Sequence, residues 1–104
     1  MQVQVLFWAL FLFFLLFVVY AISSTKRNYI YVGLTNNLEK RLLRHNRGYE
    51  KSTRLYAPFK LIYTETCNTR PEAREREKYW KSGTGKEKLR DLRAQADAGL
   101  SADR

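Results

Sequence analysis

Cysteine occurs once in this chain, at Cys67, and histidine once, at His45. One cysteine excludes an intramolecular disulfide. One Cys with one His also falls short of the four-ligand set of a zinc cluster. Cys67 closes the run Leu61-Ile62-Tyr63-Thr64-Glu65-Thr66-Cys67, which alternates as a strand does, so the thiol reads as a small strand residue rather than a nucleophile. Acidic residues are scarce: ten Asp and Glu stand against nineteen Lys and Arg, a formal charge of +9. Residues 1–25 carry no charged side chain, so every Lys and Arg lies between Lys26 and Arg104. There is no internal repeat and no phosphate loop. Lys81-Ser82-Gly83-Thr84-Gly85-Lys86-Glu87 lacks both the glycine spacing and the Ser or Thr after Lys that a Walker motif requires. It reads as a glycine helix break flanked by lysines. At 104 residues the chain has no room for a second core, since chains of this size bury only about two-thirds of their unfolded surface.

What is present is cationic charge mixed with seven tyrosines, the composition of a polyanion-binding surface. The uncharged start makes two competing claims. Val5–Ile22 is an apolar run of 18 residues, long enough for a transmembrane helix. Phe17-Val18-Val19-Tyr20-Ala21-Ile22 is also rich in β-branched and aromatic residues and precedes a polar turn, which predicts a strand. If the strand takes 17–22, Val5–Leu16 reach roughly 18 Å as a helix against a hydrocarbon core of about 30 Å. Residues 1–16 are then either a membrane-associating segment or an extension that the domain does not need. A secretory signal is disfavoured, because Met1-Gln2 supplies no positive n-region. In the membrane case Lys26-Arg27 would hold the domain on the cytoplasmic side. The expected location is cytoplasmic in both cases.

Beyond Ile22 the pattern predicts strand, turn, strand, helix, loop, strand, helix, helix. Tyr29–Gly33 forms a hairpin with the first strand, hence antiparallel. A helix is expected from Asn36, with Glu39 completing a capping box. Leu38, Leu42 and Leu43 would form its buried face, Arg41 and His45 would share another, and Gly48 would end it. Residues 49–57 read as a basic loop and Phe59–Cys67 as the third strand. Thr69 caps the next helix, with Pro71 in its first turn. That helix runs to about Ser82, and a short last helix covers Lys86 to about Ala94. The organisation is a single α+β domain over 17–92 and a polar tail, 93–104, expected to fray.

Five residues stand out for chemistry: Tyr20, Tyr31, Arg41, His45 and Glu77. Val18-Val19-Tyr20, then ten residues, then Tyr31-Val32-Gly33, resembles the paired motif of the GIY-YIG nuclease superfamily. Tyr31 through Asn46 resembles that family's second motif followed by its arginine helix, with His45 four residues beyond Arg41. Glu72-Ala73-Arg74-Glu75-Arg76-Glu77-Lys78-Tyr79-Trp80 resembles the helix carrying the metal-binding glutamate. Aligned with the excision-repair nuclease that shares the domain, that glutamate falls on Glu77. The likeness spans about Phe17 to Leu92 and is closest to small stand-alone bacterial members. Val18-Val19 stand where Gly-Ile would, and the asparagine many members carry after the glutamate helix is missing.

The resemblance implies a three-stranded antiparallel sheet flanked by helices and a metal-dependent endonuclease hydrolysing phosphodiester bonds. DNA is the expected partner, cut with little sequence specificity, and no small-molecule cofactor is expected. Glu77 suits Mg²⁺ or Mn²⁺, since Mg²⁺ keeps most of its waters and takes one or two carboxylates. Arg41 can fork onto phosphate oxygens. Either Tyr20 or Tyr31 would be the general base, assisted by His45. Arg44, Arg47, Lys51, Arg54, Lys78, Lys81 and Lys86 would contact the nucleic acid, whereas Arg74 and Arg76 read as partners of glutamates along their own helix. The alternative is a nucleic-acid-binding module of the same fold with little turnover, attached to a membrane or free.

Overall fold

β1 (Phe17–Ser24) is the middle strand of an antiparallel sheet ordered β2-β1-β3, with β2 at Ile30–Thr35 and β3 at Phe59–Cys67. The computed structural model describes residues 16–102. Residues 1–15, which hold nearly all of the expected membrane-associating segment, lie outside the described residues, as do residues 103–104. Among the described residues no helix is long and apolar enough to cross a membrane. Helices α1 (Leu38–Asn46), α2 (Arg70–Lys81) and α3 (Gly83–Ala102) complete an α+β fold, with a 3₁₀ turn at Arg54–Tyr56.

The central position of β1 explains the missing alternation at the start of the chain. Val19 and Ala21 face a core made with Ile30, Val32, Cys67, Ala73, Trp80 and Leu89 under α2 and α3. Tyr20 and Ile22 face a second core with Phe59, Leu38, Leu42 and Tyr31 under α1 and the 3₁₀ turn. A strand buried on both faces reads as a continuous apolar run, so it merges with the apolar residues before it. Opposite β3, the register shifts between Ala21 and Ile22, where a bulge leaves Ile62 unpaired.

Three local expectations are corrected. Asn37, not Asn36, caps α1: its Oδ1 accepts from Lys40 N at 3.1 Å, so Glu39 plays no part in the cap. The buried stripe of α1 runs Leu38–Leu42–His45, spaced four and three. Leu43, a residue off that period, is 49% exposed. The last helix is longer at both ends than Lys86–Ala94. Its tail is rich in alanine, the best helix former, and Asp97 reaches back to pair with Lys60 on β3.

Other local expectations hold. Gly48 ends α1 at φ +74°, and Tyr49 N bonds Arg44 O while Gly48 N bonds His45 O, a Schellman cap. Thr69 Oγ1 accepts from Glu72 N at the start of α2. Gly85 sits where a Cβ would lie 2.3 Å from the Tyr79 carbonyl oxygen, so glycine lets α3 turn tightly against the end of α2.

Candidate active site

Because β2 is an edge strand, elements from both sides of the sheet meet along its free side. There a polar cleft of about 350 Å³ gathers Tyr31 from β2, Arg41 from α1, and Arg70, Arg74 and Glu77 from α2. A larger hollow of about 640 Å³ lies between α1 and the far end of β1 and β3. It is lined mainly by Leu16, Val18, Leu38 and Leu42 and contains none of the five candidate residues. Polar convergence, not size, marks the site.

The two tyrosines separate clearly. Tyr31 opens onto the cleft. Tyr20 is completely buried, and its hydroxyl lies 2.8 Å from His45 Nε2 and 3.4 Å from Arg41 Nε. The arginine N–H donates to the phenol oxygen, so the phenol proton goes to Nε2. That leaves Nδ1–H of His45 to donate to Thr53 Oγ1 at 2.8 Å. Burial pushes the Tyr20 phenol up to about 12, against a smaller lowering by Arg41. Burial also holds His45 below the usual imidazole value, so the relay is neutral at pH 7. The hydrogen bond to Tyr20 raises Arg41 further above its already high value. Gly33, paired with Tyr20 across the sheet, leaves the space that the phenol ring occupies.

Glu50, on the loop after α1, accepts from Arg44 Nε at 2.7 Å and lies 3.5 Å from an Arg41 Nη. The Arg44 guanidinium keeps its carboxyl below the ordinary value. Two further glutamates contrast sharply. Glu65 takes hydrogen bonds from Arg76, Trp80 Nε1 and Tyr63, which leaves it a satisfied clamp between β3 and α2. Glu77 accepts no hydrogen bond from the described residues and has only loose ion pairs, 3.7 Å to Arg74 and 3.4 Å to Lys81. A carboxylate turned to a polar cleft with open coordination capacity fits a hydrated divalent ion of the Mg²⁺ class.

The other expected contacts scatter. Arg47, Lys51 and Arg54 are exposed on and after the end of α1, and Lys78 is exposed on α2. Lys81 pairs with Glu77. Lys86 is half-buried, with its Nζ on the Ile30 carbonyl, and lines a separate hollow at the start of β2 rather than the cleft. Arg74 pairs along its helix as expected and also lines the cleft, whereas Arg76 pairs across to Glu65 instead. Sequence reasoning passed over Glu50, the role of Thr53, and Arg70. The stripe Arg70–Arg74–Glu77, spaced four and three on one helix, is the signal that would have found Arg70.

His45 is the sole histidine, which makes an acid test specific. Its folded value is depressed, so below about 6.5 the unfolded chain takes up a proton that the folded chain resists. Stability is therefore fully present above that pH and falls beneath it. The urea midpoint should drop between pH 7.5 and 5.5, and the drop should vanish in His45→Gln. An unchanged drop in that variant would remove His45 as its source.

Residues 16–90 match the family described as the GIY-YIG catalytic domain. A UPF0213 protein of Clostridium perfringens is 45% identical over 69 residues, covering 65% of this chain and 74% of the relative. One from Bacillus licheniformis is 39% identical over 80 residues, covering 76% and 82%. The solution NMR structure of a UPF0213 protein from Bacillus halodurans is 30% identical and covers 74% of this chain and 84% of that one, with a TM-score of 0.46.

Proposed function

The chain belongs to the GIY-YIG family, and on that premise we propose that it is a metal-dependent endonuclease cutting DNA with little sequence specificity. One observation carries the reading: Tyr31 and Arg41, from successive elements, and Glu77, from a helix distant in the chain, line one polar cleft. Such a grouping suits hydrolysis of a phosphodiester, which needs an activated water and compensation for charge building on phosphorus-bound oxygens.

Tyr31, the accessible tyrosine, meets the attacking water and takes up or orients its proton. Arg41 binds the scissile phosphate and stabilises its growing charge. Tyr20 and His45 are positioning residues: the buried phenol fixes the side of the Arg41 guanidinium turned away from the substrate. Glu77 holds the metal ion, which when bound supplies further positive charge to the phosphate and leaving oxygen. Arg70 and Arg74 contact the backbone on the α2 side. Phosphate contacts carry no sequence information directly, hence the weak specificity.

Nicking of supercoiled plasmid by the full chain with Mg²⁺ or Mn²⁺ tests this, with Glu77→Ala alongside. The expected result is metal-dependent nicking that the variant loses while keeping its affinity for plasmid. Salt-sensitive binding without cleavage of plasmid, branched DNA or RNA would instead identify a binding module of this fold.

A further inference from the structure

Beside the cleft lies a second hollow of about 300 Å³, bounded by Thr35, Asn36, Asn37, Lys40, Arg41 and Arg44. It shares Thr35, Asn36 and Arg41 with the cleft, so the two adjoin at the start of α1. No carboxylate lines it. Lys40 stands in the first turn of α1, where the helix dipole disfavours a cation. It is also one turn ahead of Arg44, a like-charge spacing that weakens a helix. Glu50 offsets Arg44 and Arg41 from one side. Lys40 has no ion-pair partner among the described residues, and the exposed Asn36 amide makes no side-chain hydrogen bond among them. The hollow therefore offers three cations and a free amide against a single carboxylate at its margin, and it shares the arginine of the cleft.

We propose that this hollow is a second phosphate subsite, which holds through Lys40 and Arg44 the phosphodiester next to the one being cut. Arg41, common to both cavities, sits between the two phosphates. The strand then runs from α1 across the free edge of β2 towards Arg70 and Arg74 on α2. The proposal rests on the nuclease reading, because it needs a phosphate chain in the cleft.

The test is binding of a fluorescein-labelled oligonucleotide to the full chain by anisotropy, in EDTA so that nothing is cut, over a salt series. Lys40→Ala is compared with wild type and with Lys88→Ala. Lys88 is exposed on α3, with its ammonium 5.5 Å from the Tyr79 ring centroid, and its loss changes the net charge equally. Each phosphate contact contributes about 0.7–0.9 to the slope of log affinity against log salt. Lys40→Ala should lower the slope by that amount and weaken binding several-fold, with Lys88→Ala at the wild-type value. An unchanged slope in Lys40→Ala, or an equal fall in both variants, would overturn the subsite and leave the nuclease reading standing. No oligonucleotide binding by wild type would overturn both.

Discussion

Alanine at position 41 is expected to lower metal-dependent cleavage by roughly 10²–10³-fold, the usual loss when one preorganised donor to a developing oxyanion is removed. The side chain is held from behind by the Tyr20 hydroxyl at 3.4 Å and Glu50 at 3.5 Å, so its free donors are aimed before substrate arrives. Its charge is permanent at any working pH. Arg41→Lys should recover only a small part of the rate, since an ammonium lacks the planar fork that matches two phosphate oxygens. Single-turnover nicking at saturating protein isolates this effect from binding, and a matched urea midpoint shows that the variant is folded. A rate within tenfold of wild type would remove Arg41 from the chemistry.

Gly33→Ala should damage stability and activity together. A Cβ at this position would lie 2.4 Å from the Tyr20 hydroxyl oxygen and 2.5 Å from its Cζ. A tyrosine at a flexible surface would swing aside. Tyr20 cannot, because it is fully buried and bonded to His45. Overpacking of this kind costs about 1–3 kcal/mol, and displacing the phenol also loosens Arg41. Urea denaturation and plasmid nicking measure the two losses. Tyr20→Phe, which deletes the hydroxyl but keeps the ring in place, should cost less stability than Gly33→Ala. The reverse order would mean that the ring yields to the added methyl, and that glycine is not required to make room for it.

The surroundings of the two tyrosines could not be told apart from spacing because the difference lies in strand order. The hairpin of β1 and β2 is readable from a short polar turn, but the docking of β3 on the other side of β1 is a long-range event. That docking makes β1 central, so Tyr20 is sealed on its face while Tyr31, on the edge, stays open to the cleft. The same long-range event removes the period of two from β1, since it is buried on both faces. Its start at Phe17 was legible from β-branched and aromatic residues alone, while Ser23 and Ser24, read as turn, belong to the strand. β3, with one face partly open, keeps that period, and its bounds were legible as Phe59–Cys67. The shift of the α1 cap by one residue has a smaller cause: Asn36 and Asn37 are both capable caps, and only the geometry leaving β2 selects between them. His45 was legible as a neighbour of Arg41 but not as buried, because an imidazole on an apolar stripe announces itself only once Tyr20 and Thr53 are there to satisfy it.

The central position of β1, whose second neighbour β3 follows it by more than thirty residues, also bears on synthesis. At roughly 5–20 residues per second, several seconds separate completion of β1 from completion of β3. Through that interval one edge of β1 is unpaired, and its apolar side chains are continuous with the uncharged run that precedes them. The nascent chain therefore carries an apolar strand with one edge open until β3 is made. Slower passage of the ribosome to Cys67 lengthens the time for which that edge stays open to pairing with another chain.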